Sequence, residues 1–167
     1  MQDLLILNIK DASFKDMNLN KIFDPNVKHK HSFEFKTCDI TNPHISGEGK
    51  LWVSFYVLEP GKVNYPYHYH SAQEEVFYII SGNGTLKTSK GEKEIKEGDV
   101  IIMPPNENGA HQIKNTSEKP LVYLDIDAIN SPEVIFYPEL EKIMVMAKNG
   151  FRKTYKINSN VNYLEGE

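Results

Sequence analysis

Polar and apolar residues alternate over short stretches along most of the chain, and turn-forming residues separate these stretches. Clear examples are the segments HSFEFKTCDI, EEVFYIISGNG, GTLKTSKGEKEIKEGD and LVYLDIDAI. Alternation with a period of two is typical of β-strands. Strand-like segments this short and this evenly spaced predict an all-β sandwich or barrel.

Four local features refine this prediction. Helix is expected only near the start of the chain, in ASFKDMNLNKIF (residues 12–23). Lys90-Gly91 should form the tip of one hairpin, and Asn149-Gly150 is a two-residue turn signal for another. VIIMPP is expected to be a short buried strand, and KLWVSFYVLEPG is apolar on both faces.

Two histidines two residues apart stand out in PYHYHSAQEEVFYII. Residues i and i+2 of a strand point to the same side, so His68 and His70 can share one metal ion if further ligands arrive from elsewhere. Glu75 is the nearest candidate carboxylate. By strand phase it should face inward with Phe77, whereas Glu74 should point outward.

A second segment, GDVIIMPPNENGAHQIKN, follows. Together the two segments resemble the two sequence motifs of the cupin superfamily. Two departures exist: Gly61 lies one residue further from His68 than in the family pattern, and the interval from Pro104 to His111 is two residues longer. Gly109 stands where it can replace the missing motif glycine. The other positions that fit the motifs are His70, Glu75, Gly82, Gly98 and Asn115.

The resemblance implies a double-stranded β-helix, that is, a jelly-roll cupin barrel. We expect a single domain over residues 1–167, with the motif-bearing core at about 48–128. The flanking extensions, 1–47 and 129–167, should supply additional N- and C-terminal strands.

The resemblance also implies a metal site. One divalent ion (Fe, Mn, Ni, Co or Zn) would be held by two histidines of one strand, a glutamate and a third histidine. In this sequence these are His68, His70, Glu75 and His111. The sequence does not determine which of these metals is bound.

Cupins with a complete ligand set include dioxygenases, decarboxylases, isomerases and lyases, and other cupins bind small ligands without converting them. We therefore expect a metal-dependent enzyme that acts on a small organic molecule. The alternative is a non-catalytic ligand-binding or sensor module. The sequence shows no helix-turn-helix or other output domain, which favours the enzyme.

The remaining histidines and the cysteine are expected to lie outside the metal site. His29 and His31 repeat the two-residue spacing, but lysines surround them and no glutamate follows, so they are expected to be solvated. His44 is interpreted as structural or solvent-facing, and Cys38 as a small packed residue.

Two polar groups could face the pocket. Tyr123, Asp125 and Asp127 share one face of LVYLDIDAI; this face either lines the pocket or, more commonly for such patterns, faces solvent. The turn-rich segment before His111 should form the pocket rim or a solvated turn. Its candidate substrate-facing residues are Asn106, Glu107 and Asn108.

Composition limits the classes of molecule that the protein is expected to bind. The net charge of −4 gives no electrostatic basis for nucleic-acid binding, and the single arginine, Arg152, disfavours an arginine clamp for phosphate. The single cysteine allows no intrachain disulfide, which fits a cytoplasmic protein. The start, MQDLLILNIK, does not resemble a signal peptide, and no apolar stretch reaches the roughly 20 residues of a membrane helix. A small-molecule ligand and a homodimer are expected instead.

Overall fold

The computed structural model of the chain describes residues 5–23, 25–26, 28–42 and 49–166. Strands dominate it, because alternating residues can bury one face and expose the other. The strands are β1 (Lys15–Asn18), β2 (Glu34–Thr41), β3 (Leu51–Leu58), β4 (Tyr69–His70), β5 (Glu75–Ser81), β6 (Asn83–Thr88), β7 (Gly91–Lys96), β8 (Val100–Met103), β9 (His111–Lys114), β10 (Leu121–Ala128), β11 (Glu133–Tyr137), β12 (Lys142–Met146) and β13 (Arg152–Lys156).

The strands form three antiparallel sheets. A six-stranded sheet has the order β1-β2-β3-β10-β5-β8, a four-stranded sheet the order β13-β12-β11-β4, and a three-stranded sheet the order β7-β6-β9. Single-residue bridges from Val63 to Lys114 and from His68 to His111 connect the chain around β4 with β9. The predicted all-β double-stranded β-helix is confirmed.

The interior of the barrel is apolar at one end. Leu58, Ile79, Ile113 and Leu121 are fully buried there. Strand β10 lies between β3 and β5, and its inward-facing residues, which begin with Leu121, line the interior of the barrel. This interior is called the chamber below. The side chains that line this chamber beyond the apolar end are polar, and they form the candidate site.

The outer face of the six-stranded sheet is apolar in its central rows, whereas Lys36 on β2 is charged. One row of register partners crosses five strands through Cys38, Phe55, Leu124, Tyr78 and Val100. Cys38 is half-buried in this row, which agrees with a packed residue.

The prediction that VIIMPP is a buried strand is wrong. Met103 is buried, but Val100 and Ile102 are 61% and 62% exposed. The physical reason is that β8 is the edge strand of its sheet, so alternate residues lie on the uncovered outer face.

The helix predicted near the start of the chain is only partly confirmed. Within the predicted helix, Lys15–Asn18 is a strand and only Leu19–Phe23 is helical. The Asn18 side chain accepts a hydrogen bond from the Lys21 N–H at 2.9 Å, and this cap sets the helix start. Other short helical turns are Ile9–Asp11, Glu107–Gly109, Pro138–Leu140 and Lys148–Gly150. No helix among the described residues is long and apolar enough to cross a membrane.

Both predicted hairpins are present. The Thr88–Gly91 pair closes the β6–β7 hairpin, so Ser89 and Lys90 form its tip. In the β12–β13 hairpin, the innermost strand pair is Met146–Arg152, so its loop is longer than the predicted two-residue turn.

Two glycines allow a matched test of steric packing. Gly82 and Gly61 both have positive φ, at +83° and +76°, but a Cβ on Gly82 would lie 2.4 Å from the Pro120 carbonyl oxygen, whereas Gly61 has open space. Gly61→Ala should lower the free energy of unfolding by about 1–2 kcal/mol, the cost of left-handed backbone. Gly82→Ala should lower the free energy of unfolding by about 1–3 kcal/mol more than Gly61→Ala, because the packed backbone must move. Urea denaturation measures both, and equal losses would contradict this packing.

Candidate metal centre

The backbone brings the two sequence motifs together at one residue pair. The His68 N–H donates to the His111 carbonyl at 3.1 Å, and the His111 N–H donates to the His68 carbonyl at 2.8 Å. Residues paired in this way point to the same side. Their ring centroids are accordingly 4.7 Å apart, and the His70 ring lies 5.5 Å from that of His68.

Backbone carbonyls orient two of the imidazoles. The Nδ1 atom of His68 lies 2.8 Å from the Pro66 carbonyl, and that of His111 lies 2.9 Å from the Gly109 carbonyl. A carbonyl only accepts, so each Nδ1 carries the hydrogen and each Nε2 keeps a free lone pair. The Nε2 atom of His111 is buried without a hydrogen-bond partner and lies 3.5 Å from Oε2 of Glu75.

Glu133 supplies a second carboxylate, which faces the His70 ring through Nδ1, whereas Glu75 faces it through Nε2. Nε2 of His70 is 3.4 Å from Oε1 of Glu75, and its Nδ1 faces Oε1 of Glu133 at 3.7 Å. Glu133 is fully buried and accepts hydrogen bonds from the Ser71 hydroxyl and the Ala72 N–H, both at 3.1 Å. All three imidazoles therefore direct Nδ1 toward an oxygen outside the common centre.

Burial and mutual proximity shift the pKa values of these groups strongly. Burial lowers the pKa of His68 to about 3. Burial also disfavours a charged His70, but the Glu75 and Glu133 carboxylates outweigh it and raise its pKa to about 10. For Glu75, burial opposes ionisation, yet the imidazoles of His111 and His70 hold its pKa well below the usual range. The centre therefore favours a carboxylate surrounded by imidazoles.

The donor set fits a divalent transition-metal ion. Ligand atoms of His68, His70 and Glu75 lie within 4.8 Å of one another, a spacing that permits contact with one ion. His111 adds an unpartnered Nε2 beside the same carboxylate. Imidazole nitrogens and a carboxylate suit iron, manganese, cobalt, nickel or zinc.

Residues 54–127 match the family model of the cupin domain. The chain contains a cupin domain. A protein from Acidithiobacillus ferrooxidans, provisionally named a sugar phosphate isomerase, has a solved structure with 27% sequence identity and a TM-score of 0.65. The similarity covers 76% of this chain and 80% of that one.

A sugar phosphate isomerase of the cupin superfamily from Silicibacter pomeroyi shares the fold, with a TM-score of 0.74 and 19% identity over 95% of this chain and 98% of that one. Among curated proteins, the uncharacterized protein MJ1618 of Methanocaldococcus jannaschii is 37% identical over 57 residues. This match spans 34% of this chain and 44% of the length of that relative.

The four residues named from the cupin motifs are all buried. Ligand atoms of His68, His70 and Glu75 form one group, and His111 approaches this group through Glu75. Glu74 is exposed, as strand phase predicts. The motif asparagine, Asn115, is fully buried and structural; its side-chain amide donates to the Leu58 and Lys119 carbonyls at 2.7 and 2.8 Å.

The long segment before His111 lies beside the centre. The Asn106 N–H donates to the His70 carbonyl at 2.7 Å. The side chains of Asn106, Glu107 and Asn108 are exposed. Gly109 packs so closely that a Cβ there would lie 1.9 Å from the Pro104 carbonyl oxygen, so no other residue fits without backbone movement. This close approach is a steric reason for a glycine in this cupin segment.

The remaining histidines lie outside this group. His29 and His31 are half-buried rather than solvated, and the His31 ring packs edge-on against Phe33 at 5.9 Å. Burial, followed by the charges of nearby lysines, lowers the pKa of His31. His44 lies outside the described residues.

The expectation that Asp125 and Asp127 face solvent is wrong. Both are only 8% exposed, and Tyr123 is fully buried on the same inward face. Burial raises the pKa of Asp125 well above its usual range and that of Asp127 to about 7. The apolar face of β10, with Val122, Leu124 and Ile126, instead lies on the outside of the barrel and is half-buried.

Sequence reasoning missed two residues from the C-terminal extension. Glu133 faces His70, and the ring of Tyr137 stacks on that of His68 with centroids 5.8 Å apart. Both belong to β11, which pairs with β4. The only signal in the sequence is the strand-like segment EVIFYP, which does not indicate its partner strand.

Glu133 should strengthen metal binding by holding His70 in place. Glu133→Gln should weaken metal affinity by about 10–100-fold, the usual effect of removing a carboxylate behind a metal-bound imidazole. Glu74→Gln is the matched control, because this neighbouring carboxylate is exposed and points away. Competition with a metallochromic chelator measures both variants. Equal affinity of the Glu133→Gln variant and the unmodified protein would show that the contact has no such role.

Proposed function

We propose that this chain is a metal-dependent cupin enzyme that acts on a small organic molecule inside the barrel. His68, His70, Glu75 and His111 would hold the ion. The observation that carries this proposal is the buried, unpartnered Nε2 of His111 beside Glu75. Leaving a buried polar atom without a partner is costly, and a metal ion would satisfy it.

A bound divalent ion would supply a Lewis acid for a substrate oxygen. The chain's own residues prepare the chamber for this chemistry. The carbonyls of Pro66 and Gly109 fix the tautomers of their histidines. The apolar end of the barrel limits water, and Tyr137 covers one face of His68.

Isomerisation is the reaction class that we propose. It is supported by the similarity to the Acidithiobacillus ferrooxidans structure, whose provisional name is sugar phosphate isomerase. Buried Asp125 and Asp127 add carboxyl groups close to Glu75, where a substrate could be oriented. A small hydroxylated carbonyl compound is the substrate type that such a reaction requires.

Metal content tests the ligand set directly. His68→Ala, His70→Ala and His111→Ala should each lower metal affinity by more than about 100-fold, because each removes a ligand rather than a supporting contact. His31→Ala is the matched control, since His31 lies outside the group. Elemental analysis after dialysis measures bound metal per chain. Full metal content in the His111→Ala variant would contradict the assignment.

The reaction class is tested separately with metal-loaded protein. Incubation with small hydroxy-aldehydes and hydroxy-ketones in D₂O should exchange hydrogen beside the carbonyl, as followed by NMR, without oxygen uptake. Oxygen consumption would instead indicate a dioxygenase. Binding of these compounds without exchange would favour the non-catalytic alternative.

We also propose that two copies pair through the apolar outer face of the six-stranded sheet. Light scattering should then give twice the mass of one chain. Ile102→Lys should yield monomers, because it places a charge on the edge of this face. Val161→Lys, which changes another exposed apolar residue in the C-terminal tail, is the control. A monomeric mass for the unmodified protein at micromolar concentration would refute this pairing.

A further inference from the structure

Two aspartates extend the chamber beyond the four proposed metal ligands. Asp125 and Asp127 lie on the inward face of β10, next to Glu75 on β5. One oxygen from each of the three carboxyl groups lies within 4.8 Å of the others. Both aspartates are more than nine-tenths buried, at 8% exposure each.

One oxygen atom of each aspartate lacks a hydrogen-bond donor among the described residues. The Oδ1 atoms of Asp125 and Asp127 are buried and accept no hydrogen bond. None of the ion pairs seen in the described part of the chain brings a lysine or arginine to either residue. Buried acceptors are stabilised when a donor reaches them, so a ligand that supplies N–H or O–H groups would stabilise these oxygen atoms.

We propose that Asp125 and Asp127 select the substrate: they accept hydrogen bonds from its hydroxyl or amino groups and disfavour anionic groups at the metal. The substrate class is then an uncharged or cationic polyhydroxy or amino compound. This inference rests on the proposed metal centre and deepens it. A carboxylate or phosphate group next to these side chains would bring further acceptors to oxygen atoms that themselves lack donors.

The neighbouring side chains are consistent with this assignment. Ser54, the register partner of Asp125 on β3, is fully buried, but its hydroxyl donates to Asp39 at 2.7 Å and is therefore already used. The Trp52 indole N–H also faces Asp39, at 3.3 Å. These two donors are thus directed to Asp39.

The experiment compares two small probes of similar size on cobalt-loaded protein. Azide is an anion, whereas hydroxylamine is neutral near pH 7.5 and carries N–H and O–H donors. Visible absorption of the cobalt ion gives a dissociation constant for each probe. In the Asp125→Asn/Asp127→Asn double variant, the preference for hydroxylamine over azide should fall by about tenfold or more relative to the unmodified protein, because the new side-chain amides offer N–H donors that the anion can accept.

Controls keep the result interpretable. Glu74→Gln removes an exposed carboxylate next to Glu75 and should leave the preference unchanged. Circular dichroism checks folding, and Asp127→Asn alone replaces the double variant if that protein is unstable. An unchanged preference in the aspartate variants would overturn the inference.

Metal stoichiometry separates the remaining explanations. One cobalt ion per chain in both the unmodified protein and the double variant is the expected result. Two ions in the unmodified protein and one in the variant would mean that the carboxylates hold a second cation, which also overturns the inference. If the unmodified protein binds no cobalt, the proposed function itself fails, and this inference fails with it.

Discussion

The reciprocal backbone hydrogen bonds between His68 and His111 are the interaction on which the site depends. They join two motifs that lie more than 40 residues apart in sequence and place both rings on the inward face. Once this pair is formed, His70 follows on the same face, and Glu75 enters from the adjacent sheet. The convergence of donors is therefore a consequence of strand register rather than of side-chain flexibility.

The buried carboxyl groups of the site need partners that compensate for the loss of water. An isolated carboxylate inside a barrel is strongly unfavourable, and here Glu75 is surrounded by imidazoles while Glu133 stands behind His70. Asp125 and Asp127 have no comparable partner among the described residues, and burial raises the pKa of each. The chamber thus has one side with partnered charges and another side whose carboxyl groups lack comparable partners among the described residues.

Residue spacing sufficed to predict the all-β fold and the inward phase of Glu75, whereas the metal-ligand role of His68, His70, Glu75 and His111 stays a prediction. It failed for β10, because a polar face and an apolar face alternate there and the usual rule puts the apolar face inside. In this barrel the polar face lines the chamber, and the apolar face with Val122, Leu124 and Ile126 lies outside. Glu133 could not be found either, because its proximity to His70 depends on the long-range pairing of β11 with β4.

The central claim is that three imidazoles and one carboxylate hold a single metal ion inside this cupin barrel. X-ray absorption fine structure of the metal-loaded protein tests it most directly, because multiple scattering from imidazole rings allows them to be counted. The account predicts three imidazoles and at least one oxygen ligand, with one imidazole lost in the His111→Ala variant. A spectrum with fewer than three imidazoles in the unmodified protein would contradict it.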